Sequence, residues 1–184
     1  MAMIAVFLVF AGISLFVNGV WMLSDSGTGD PGRSVAGRDI AIGNLFAALI
    51  GFAMIVVVIA NGQGSNEYDY SIAAYIGLFS LTYLWLGINQ FTGVDGAGLG
   101  WFSLLVPFLA IPAGITALGA AASAFELWLA IDWFAWAILW FLFFVLLALK
   151  RPIARPVAVL TIAQALLTAL LPAALLFAGV IGFS

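Results

Sequence analysis

The chain has 184 residues, of which 66% are hydrophobic and only 7% are charged, and its formal net charge is −3 at pH 7. A water-soluble domain needs more polar side chains to cover its surface, so this composition and the mean hydropathy of +1.25 exclude that class and favour an integral membrane protein. Because the chain has no cysteine and no histidine, it lacks disulfides, thiol chemistry, the commonest metal ligand and the usual titrating group near neutral pH.

Apolar stretches of about 20 residues, each long enough to cross a hydrocarbon core of about 30 Å, recur along the chain. The first has no basic segment before it and no obvious small-residue cleavage site before Ser24, so we interpret it as a retained helix and not as a signal peptide. The expected fold is all-α, a single domain over residues 1–184 with six transmembrane helices in three hairpins (1–2, 3–4 and 5–6) around a pore. The predicted helices lie near residues 3–23, 40–60, 71–90, 101–120, 127–149 and 157–180.

The basic residues are confined to two connections of the predicted bundle. They are Arg33 and Arg38 between helices 1 and 2, and Lys150, Arg151 and Arg155 between helices 5 and 6. Six spans place both connections on one side, and the excess of basic residues predicts that this side is cytoplasmic. Both termini and the loops around 61–70 and 121–126 are then expected to face outward.

Polar and aromatic side chains recur along one face of the third helix. Leu81, Trp85 and Asn89 share this face, and Thr82 lies beside them. An aromatic ring, a hydroxyl and an amide along one stripe are typical of a pore wall, although polar contacts between membrane helices are common. Both interpretations stay open for Thr82.

Tryptophans recur along one face of the fifth helix, where Trp133, Trp136 and Trp140 fall at i, i+3 and i+7. Lipid-interface anchoring would place tryptophans at one depth. These three extend over about 10 Å of the helix axis. We therefore favour a role in a pore or between helices over a lipid-facing belt.

Two carboxylates, Glu126 and Asp132, occur near the start of the fifth helix. A carboxylate inside a membrane helix is costly and marks a candidate functional site, whereas one near the surface is simply hydrated. No lysine, arginine or histidine lies in any predicted helix to pair with Asp132. We expect both carboxylates to border water in an outer vestibule.

The sixth helix carries Thr161, Gln164 and Thr168 at i, i+3 and i+7, followed by Pro172. Gln164 is its one amide, lies near mid-bilayer and needs partners for both its oxygen and its nitrogen. We favour the pore for Gln164, while a role in helix packing is as well founded for the threonines.

Three segments of the chain together resemble the AmiS/UreI family of bacterial urea channels and short-chain amide transporters. They are LFSLTYLWLGINQFTGVD (78–95), the tryptophan-rich fifth helix through Trp140, and IAQALLTALLPAALLF (162–177). The resemblance extends to Asn18-Gly19, Asn44 and Pro112. It implies that each protomer is its own six-helix channel, that protomers assemble into a hexameric ring, and that the route is lined by aromatic and aliphatic side chains.

The resemblance also assigns roles by position. Trp136 and Trp140 match constriction tryptophans, Leu81 and Trp85 match an aromatic pair, and Ala11 and Leu15 match aliphatic wall positions. Two positions depart from the acid-activated member, because Gln164 stands in place of a glutamate and Leu129 in place of another tryptophan. The outer loop offers only Glu67 and Asp69, so histidine gating does not transfer.

We therefore expect a passive channel for urea or a similarly small neutral amide in the bacterial inner membrane, with no cofactor and no metal. Gln164, Thr82 and the indole N–H groups would replace the hydrogen bonds that the solute loses to water. A proton-coupled small-amide transporter that uses Asp132 as its relay is the alternative. An enzyme is disfavoured because the sequence supplies neither a nucleophile with a base nor a metal cluster.

Overall fold

The computed structural model describes residues 2–25, 35–62 and 70–182, and over those ranges it is helical with no strand. Six spans among them have the length and the composition to cross a membrane, which confirms the predicted all-helical architecture. The first five are α1 (Ala2–Asp25), α2 (Gly37–Gly62), α3 (Ser71–Thr92), α4 (Ala97–Ala120) and α5 (Ala124–Leu147). The sixth consists of α6 (Ala154–Gln164), a π-helical segment (Ala165–Leu170) and α7 (Leu171–Phe177).

The bounds differ from the prediction mainly at helix starts. Four spans begin three or four residues earlier than expected: α2 at Gly37, α4 at Ala97, α5 at Ala124 and the sixth span at Ala154. The turn before α4 needs only residues 93–96, because Gly93 and Gly96 both adopt positive φ angles of 71° and 76°. Arg33, Glu67 and Asp69 lie outside the described residues.

The six spans form a closed ring in chain order, and close and loose contacts alternate around it. α2 packs closely along α3, α4 along α5, and α1 along the sixth span, whereas α3 hardly touches α4 and α5 touches α6 at few points. The sequence predicted hairpins 1–2, 3–4 and 5–6. The closest packing instead joins helices of successive hairpins, so the loose positions fall within the hairpins.

Each closely packed pair has a glycine where the backbones approach. A Cβ atom added to Gly19 would lie 3.0 Å from the carbonyl oxygen of Ala158, and one added to Gly87 would lie 3.2 Å from that of Ala41. One added to Gly100 would stand only 2.6 Å from a backbone nitrogen just after α5. Small residues allow such approach in membrane bundles, where association depends on packing.

A buried pair of amides joins α1 to α2. Asn18 donates to the side-chain oxygen of Asn44 at 2.9 Å, and Asn44 donates back at 2.6 Å. Asn44 also donates to the carbonyl of Ile40 at 2.7 Å, and Ser14 donates to the carbonyl of Gly43 at 2.9 Å. These bonds fix the register of a pair that packs less closely than its neighbours in the ring.

Candidate functional site

Two cavities occupy opposite halves of the bundle. The terminal-side cavity, of about 390 Å³, lies where α1 begins and the sixth span ends, and it is lined by α1, α3, the end of α4, the first half of α5 and the π-helical segment. The basic-side cavity, of about 420 Å³, lies at the opposite end, beside the turn at 94–96 and Lys150. The two cavities together extend along the interior of the ring.

A constriction separates the two cavities. It is a small cavity of about 40 Å³ that shares wall residues with each of the large ones. Its walls shared with the terminal-side cavity are Leu15, Phe79, Tyr83 and Trp136, those shared with the basic-side cavity are Thr82 and Phe143, and the remaining two are Leu139 and Trp140. Five of the eight residues that line this constriction are aromatic, and we refer to the constriction as the waist.

Phe79 on α3 is the centre of the aromatic cluster at the waist. Its ring centroid lies 4.6 Å from that of Trp140, 4.9 Å from that of Trp136 and 6.2 Å from that of Trp133. On the terminal side, Tyr75 lies 4.9 Å from Trp133. The rings meet edge-on or tilted, which is the preferred geometry of aromatic pairs and fixes their orientation.

The indole N–H groups at the waist are already paired with protein. Trp136 donates to the hydroxyl of Thr168 at 2.8 Å, and Trp140 donates to the hydroxyl of Thr82 at 3.2 Å. Each threonine donates in turn to a carbonyl in its own helix, at 2.7 Å. The sequence-based expectation that these indoles serve the solute therefore needs revision, because their ring surfaces face the cavities while their N–H groups hold helices together.

The structure brings most of the predicted path residues to these cavities. Ala11, Leu15, Leu129, Trp133, Trp136 and Thr168 line the terminal-side cavity, Trp140 lines the constriction, Thr82 lines the constriction and the basic-side cavity, and Asn89 lines the basic-side cavity. The Nδ2 atom of Asn89 is buried without a hydrogen-bond partner.

Three predicted path residues lie elsewhere. Leu81 is 38% exposed on the outer surface of the bundle. Trp85 packs between α3 and α4, 6.0 Å from the ring of Phe102 and against Gly98. Gln164 is buried between α5 and α6, where its Nε2 donates to the carbonyl of Ala135 at 2.8 Å and its Oε1 has no partner.

The two carboxylates of α5 have different surroundings. Glu126 accepts from the backbone N–H groups of Ala122 and Ser123, and Ser123 accepts from the N–H of Glu126, so the pair forms a capping box at the start of α5. Asp132 is only 3% exposed, lines none of the three cavities, and has no hydrogen-bond partner for its Oδ2. The expected vestibule position is therefore wrong for Asp132, which is buried among the helices, whereas Glu126 lies partly exposed at the start of α5 and its place in a vestibule stays a prediction.

Tyr75, Phe79 and Tyr83, which the sequence-based prediction did not include, contribute three rings to the terminal-side cavity. A usable signal was present, because positions 75, 79, 82 and 86 recur at i, i+4, i+7 and i+11 and form one stripe of α3. The predicted stripe began at Leu81, which lies about 100° around the helix from Thr82.

An exposed ion pair closes one side of the basic-side cavity. The ammonium group of Lys150 lies 3.1 Å from the carboxylate of Asp95, and this carboxylate also accepts from the backbone N–H of Ala97 at 3.1 Å. The backbone hydrogen bond, followed by Lys150, holds the pKa of Asp95 below its ordinary value of 3.8. No cluster of three or more acidic, cysteine or histidine side chains suited to a metal ion occurs within the described ranges.

Known proteins that resemble this chain include a transporter and a urea channel. The chain is 34% identical over 174 residues to a protein of Mycolicibacterium smegmatis assigned as a transporter of amidate substrates, with 91% of this chain and 76% of the relative covered. It is 30% identical to the acid-activated urea channel of Helicobacter pylori strain J99, with 95% and 97% covered. The crystal structure of the Helicobacter pylori urea channel superposes with a TM-score of 0.82 at 29% identity, over 95% of this chain and 97% of that one.

The sequence profile of the AmiS/UreI family transporter matches residues 3–180, which is nearly the whole chain. This agrees with the six apolar spans and with the structural superposition. The protein is thus a multi-pass membrane protein that belongs to the AmiS/UreI family of transporters.

Proposed function

We propose that this protein is a passive channel for urea or a similarly small neutral amide, and that the solute passes through the waist between the two cavities. The observation that carries the proposal is the constriction of about 40 Å³ that shares its walls with cavities of about 390 and 420 Å³. The described residues of a single chain line all three cavities, which supports one path per protomer. We further propose that residues 1–184 form one channel domain, and we assign it no catalytic step.

The physical barrier for a small amide is the loss of its hydrogen bonds to water. Moving an unpaired amide into an apolar environment costs roughly 2–7 kcal/mol. Urea and acetamide are planar, so their faces stack against the rings of Phe79, Trp136 and Trp140 while their edges find few polar groups. Affinity is then low, which permits fast release.

An ion meets a larger barrier at the same waist. The lining offers ring surfaces and hydroxyls, and no charged side chain lines the constriction. Removing a charge from water without a paired counter-charge costs far more than removing a neutral amide. Selectivity against ions therefore needs no charged filter.

Stopped-flow light scattering of proteoliposomes tests this function directly. Gradients of urea, acetamide and glycerol are applied with and without a protonophore, beside protein-free liposomes of the same lipid. We expect fast, symmetric urea and amide flux that the protonophore leaves unchanged. Flux equal to that of protein-free liposomes would contradict the proposed channel.

A proton-coupled transporter is the second candidate, because Asp132 is buried in α5 with an unpartnered oxygen. A buried carboxylate in a membrane span is a common element of proton relays. In that case uptake collapses when the proton gradient is dissipated, and Asp132→Asn abolishes the coupling. Passive flux, by contrast, survives both the protonophore and Asp132→Asn.

The cellular arrangement also belongs to this proposal. We place the protein in the bacterial inner membrane as a homo-hexamer, with both termini outside. The side that carries Arg38, Lys150, Arg151 and Arg155 is then cytoplasmic. Native mass spectrometry in lipid nanodiscs tests the hexamer, and labelling of single cysteines introduced near the chain ends tests the orientation.

A further inference from the structure

The carbonyl of Leu167 in the sixth span lacks the two backbone donors that its own helix would ordinarily supply. Within the π-helical segment, the N–H of Leu171 donates to the carbonyl of Leu166, five residues earlier. The next bond in this pattern would pair the carbonyl of Leu167 with residue 172, but Pro172 has no N–H. Leu171, the alternative donor four residues away, is already bonded to Leu166.

A side chain of α5 donates a hydrogen bond to this carbonyl. The indole Nε1 of Trp128 donates to the carbonyl oxygen of Leu167 at 3.1 Å. Wherever hydrocarbon surrounds a membrane-spanning helix, an unpaired backbone carbonyl needs a donor from protein, because lipid tails supply none. Trp128 therefore replaces the hydrogen bond that Pro172 removes, and it does so on the residue next to Thr168.

Thr168 links this contact to the waist. Its hydroxyl accepts from Trp136, which lines both the terminal-side cavity and the constriction. One turn earlier, Gln164 donates to the carbonyl of Ala135. Three hydrogen bonds between α5 and residues 164–168, two donated by α5 and one by Gln164, thus hold the start of the π-helical segment in place. Elsewhere α5 touches this span at few points.

We propose that Trp128 is a positioning residue for the constriction, which acts without contacting the solute. By satisfying the carbonyl of Leu167, Trp128 stabilises the π-helical register, and this register places the Thr168 hydroxyl under the indole of Trp136. Trp128 lines none of the three cavities. The expected change in solute flux rests on the proposed function, whereas the expected stabilisation of the π-helical backbone does not.

Lipid-interface anchoring is the competing role for a partly exposed tryptophan near the start of α5. If Trp128 is a lipid anchor, the effect of replacing it depends on the lipid and does not change when Pro172 is also replaced. The proposed role depends on Pro172, because a residue with an N–H at position 172 supplies the bond that the indole now supplies. The two roles therefore predict opposite outcomes for a double substitution.

The test compares Trp128→Phe, Pro172→Ala and the double variant in proteoliposomes, with Trp101→Phe, a 56% exposed tryptophan of α4, as the matched control. Losing one hydrogen bond to an otherwise unpaired group shifts a local equilibrium by about fivefold or more. We expect Trp128→Phe to lower the permeability ratio of urea to glycerol by about fivefold. Pro172→Ala alone and the double variant should stay within about twofold of the parent.

Hydrogen–deuterium exchange over residues 165–173 is the second readout. We expect faster exchange in Trp128→Phe and recovery in the double variant. If Trp128→Phe does not fold, recovery of folded protein in the double variant is the same rescue. A Trp128→Phe variant with parental exchange, or a double variant as impaired as the single one, overturns the inference. A parent protein without urea flux contradicts the proposed function, and the exchange measurement still decides the role of Trp128.

Discussion

At the scale of single residues, the two tryptophans of the constriction use different parts of the indole for different contacts. The indole N–H groups of Trp136 and Trp140 are bonded to Thr168 and Thr82, so the polar edge of each ring is fixed to a neighbouring helix. The ring faces are left to line the cavities. Such an arrangement holds large apolar surfaces in one orientation, as a narrow slit requires.

Trp140→Ala is expected to widen the slit. Removing the indole from a constriction of about 40 Å³ should raise glycerol permeability several-fold relative to urea, and cost about 3–5 kcal/mol of stability. Stopped-flow permeability ratios, normalised to folded protein, provide the measurement. Trp101→Ala is the control, because that side chain lies on the exposed surface. An unchanged ratio in folded Trp140→Ala would remove Trp140 from the path.

At the scale of elements, polar contacts compensate for loose packing within a hairpin. α1 and α2 pack less closely than α2 and α3, but Asn18 and Asn44 exchange two buried hydrogen bonds between them. Cross-helix bonds of this kind contribute modestly in membranes, about 1–2 kcal/mol each at most. Their value lies in the register that they impose.

Asn44→Leu should destabilise the α1–α2 pair by about 1–3 kcal/mol, because it leaves the amide of Asn18 buried and unpaired. Thermal denaturation in detergent, followed by retention of the folded peak on gel filtration, measures this loss. The double variant Asn18→Leu/Asn44→Leu should lose less than the sum of the two single changes. Strict additivity would show that the two amides do not interact.

At the scale of the whole molecule, the absence of histidine from the sequence governs the response to pH. Unperturbed carboxyl groups titrate near pH 4, and the hydrogen bond from Ala97 and the contact with Lys150 lower the pKa of Asp95 further. The stability that ionised Asp95 contributes to the folded protein is therefore complete above the pKa of Asp95 in the unfolded chain. That stability is lost only as the pH falls through the lower pKa of the folded state. The Asp95–Lys150 contact should persist across the neutral range.

We therefore predict urea permeability that changes by less than about twofold between pH 5 and pH 8. The measurement is stopped-flow flux with the same pH on both sides of the membrane, after subtraction of the rate in protein-free liposomes. A sigmoidal rise centred near pH 6 would contradict this prediction. It would require a titrating group other than histidine, with Asp132 as the first residue to substitute.

The sequence by itself determined the environment, the number of spans and the family. The membrane environment and the spans follow from the length of each apolar run, and the family follows from motifs such as the tryptophans of α5. Both kinds of signal can be read from the sequence without knowing how the helices pack. Helical spacing also grouped Trp133, Trp136 and Trp140 on one face, and all three line the cavities. Ala11, Leu15 and Leu129, which also line a cavity, came from the family resemblance and not from spacing.

Only the tertiary structure decided which face of each helix points inward. In a membrane helix the lipid-facing and the interior surfaces are both apolar, so hydrophobic periodicity does not distinguish Leu81 on the outside from Thr82 on the inside. The same limit hid the central position of Phe79 and the burial of Asp132. The donor for the carbonyl of Leu167 is Trp128, 39 residues earlier in the chain. A contact of that kind depends on the packing of two helices, and no local pattern encodes it.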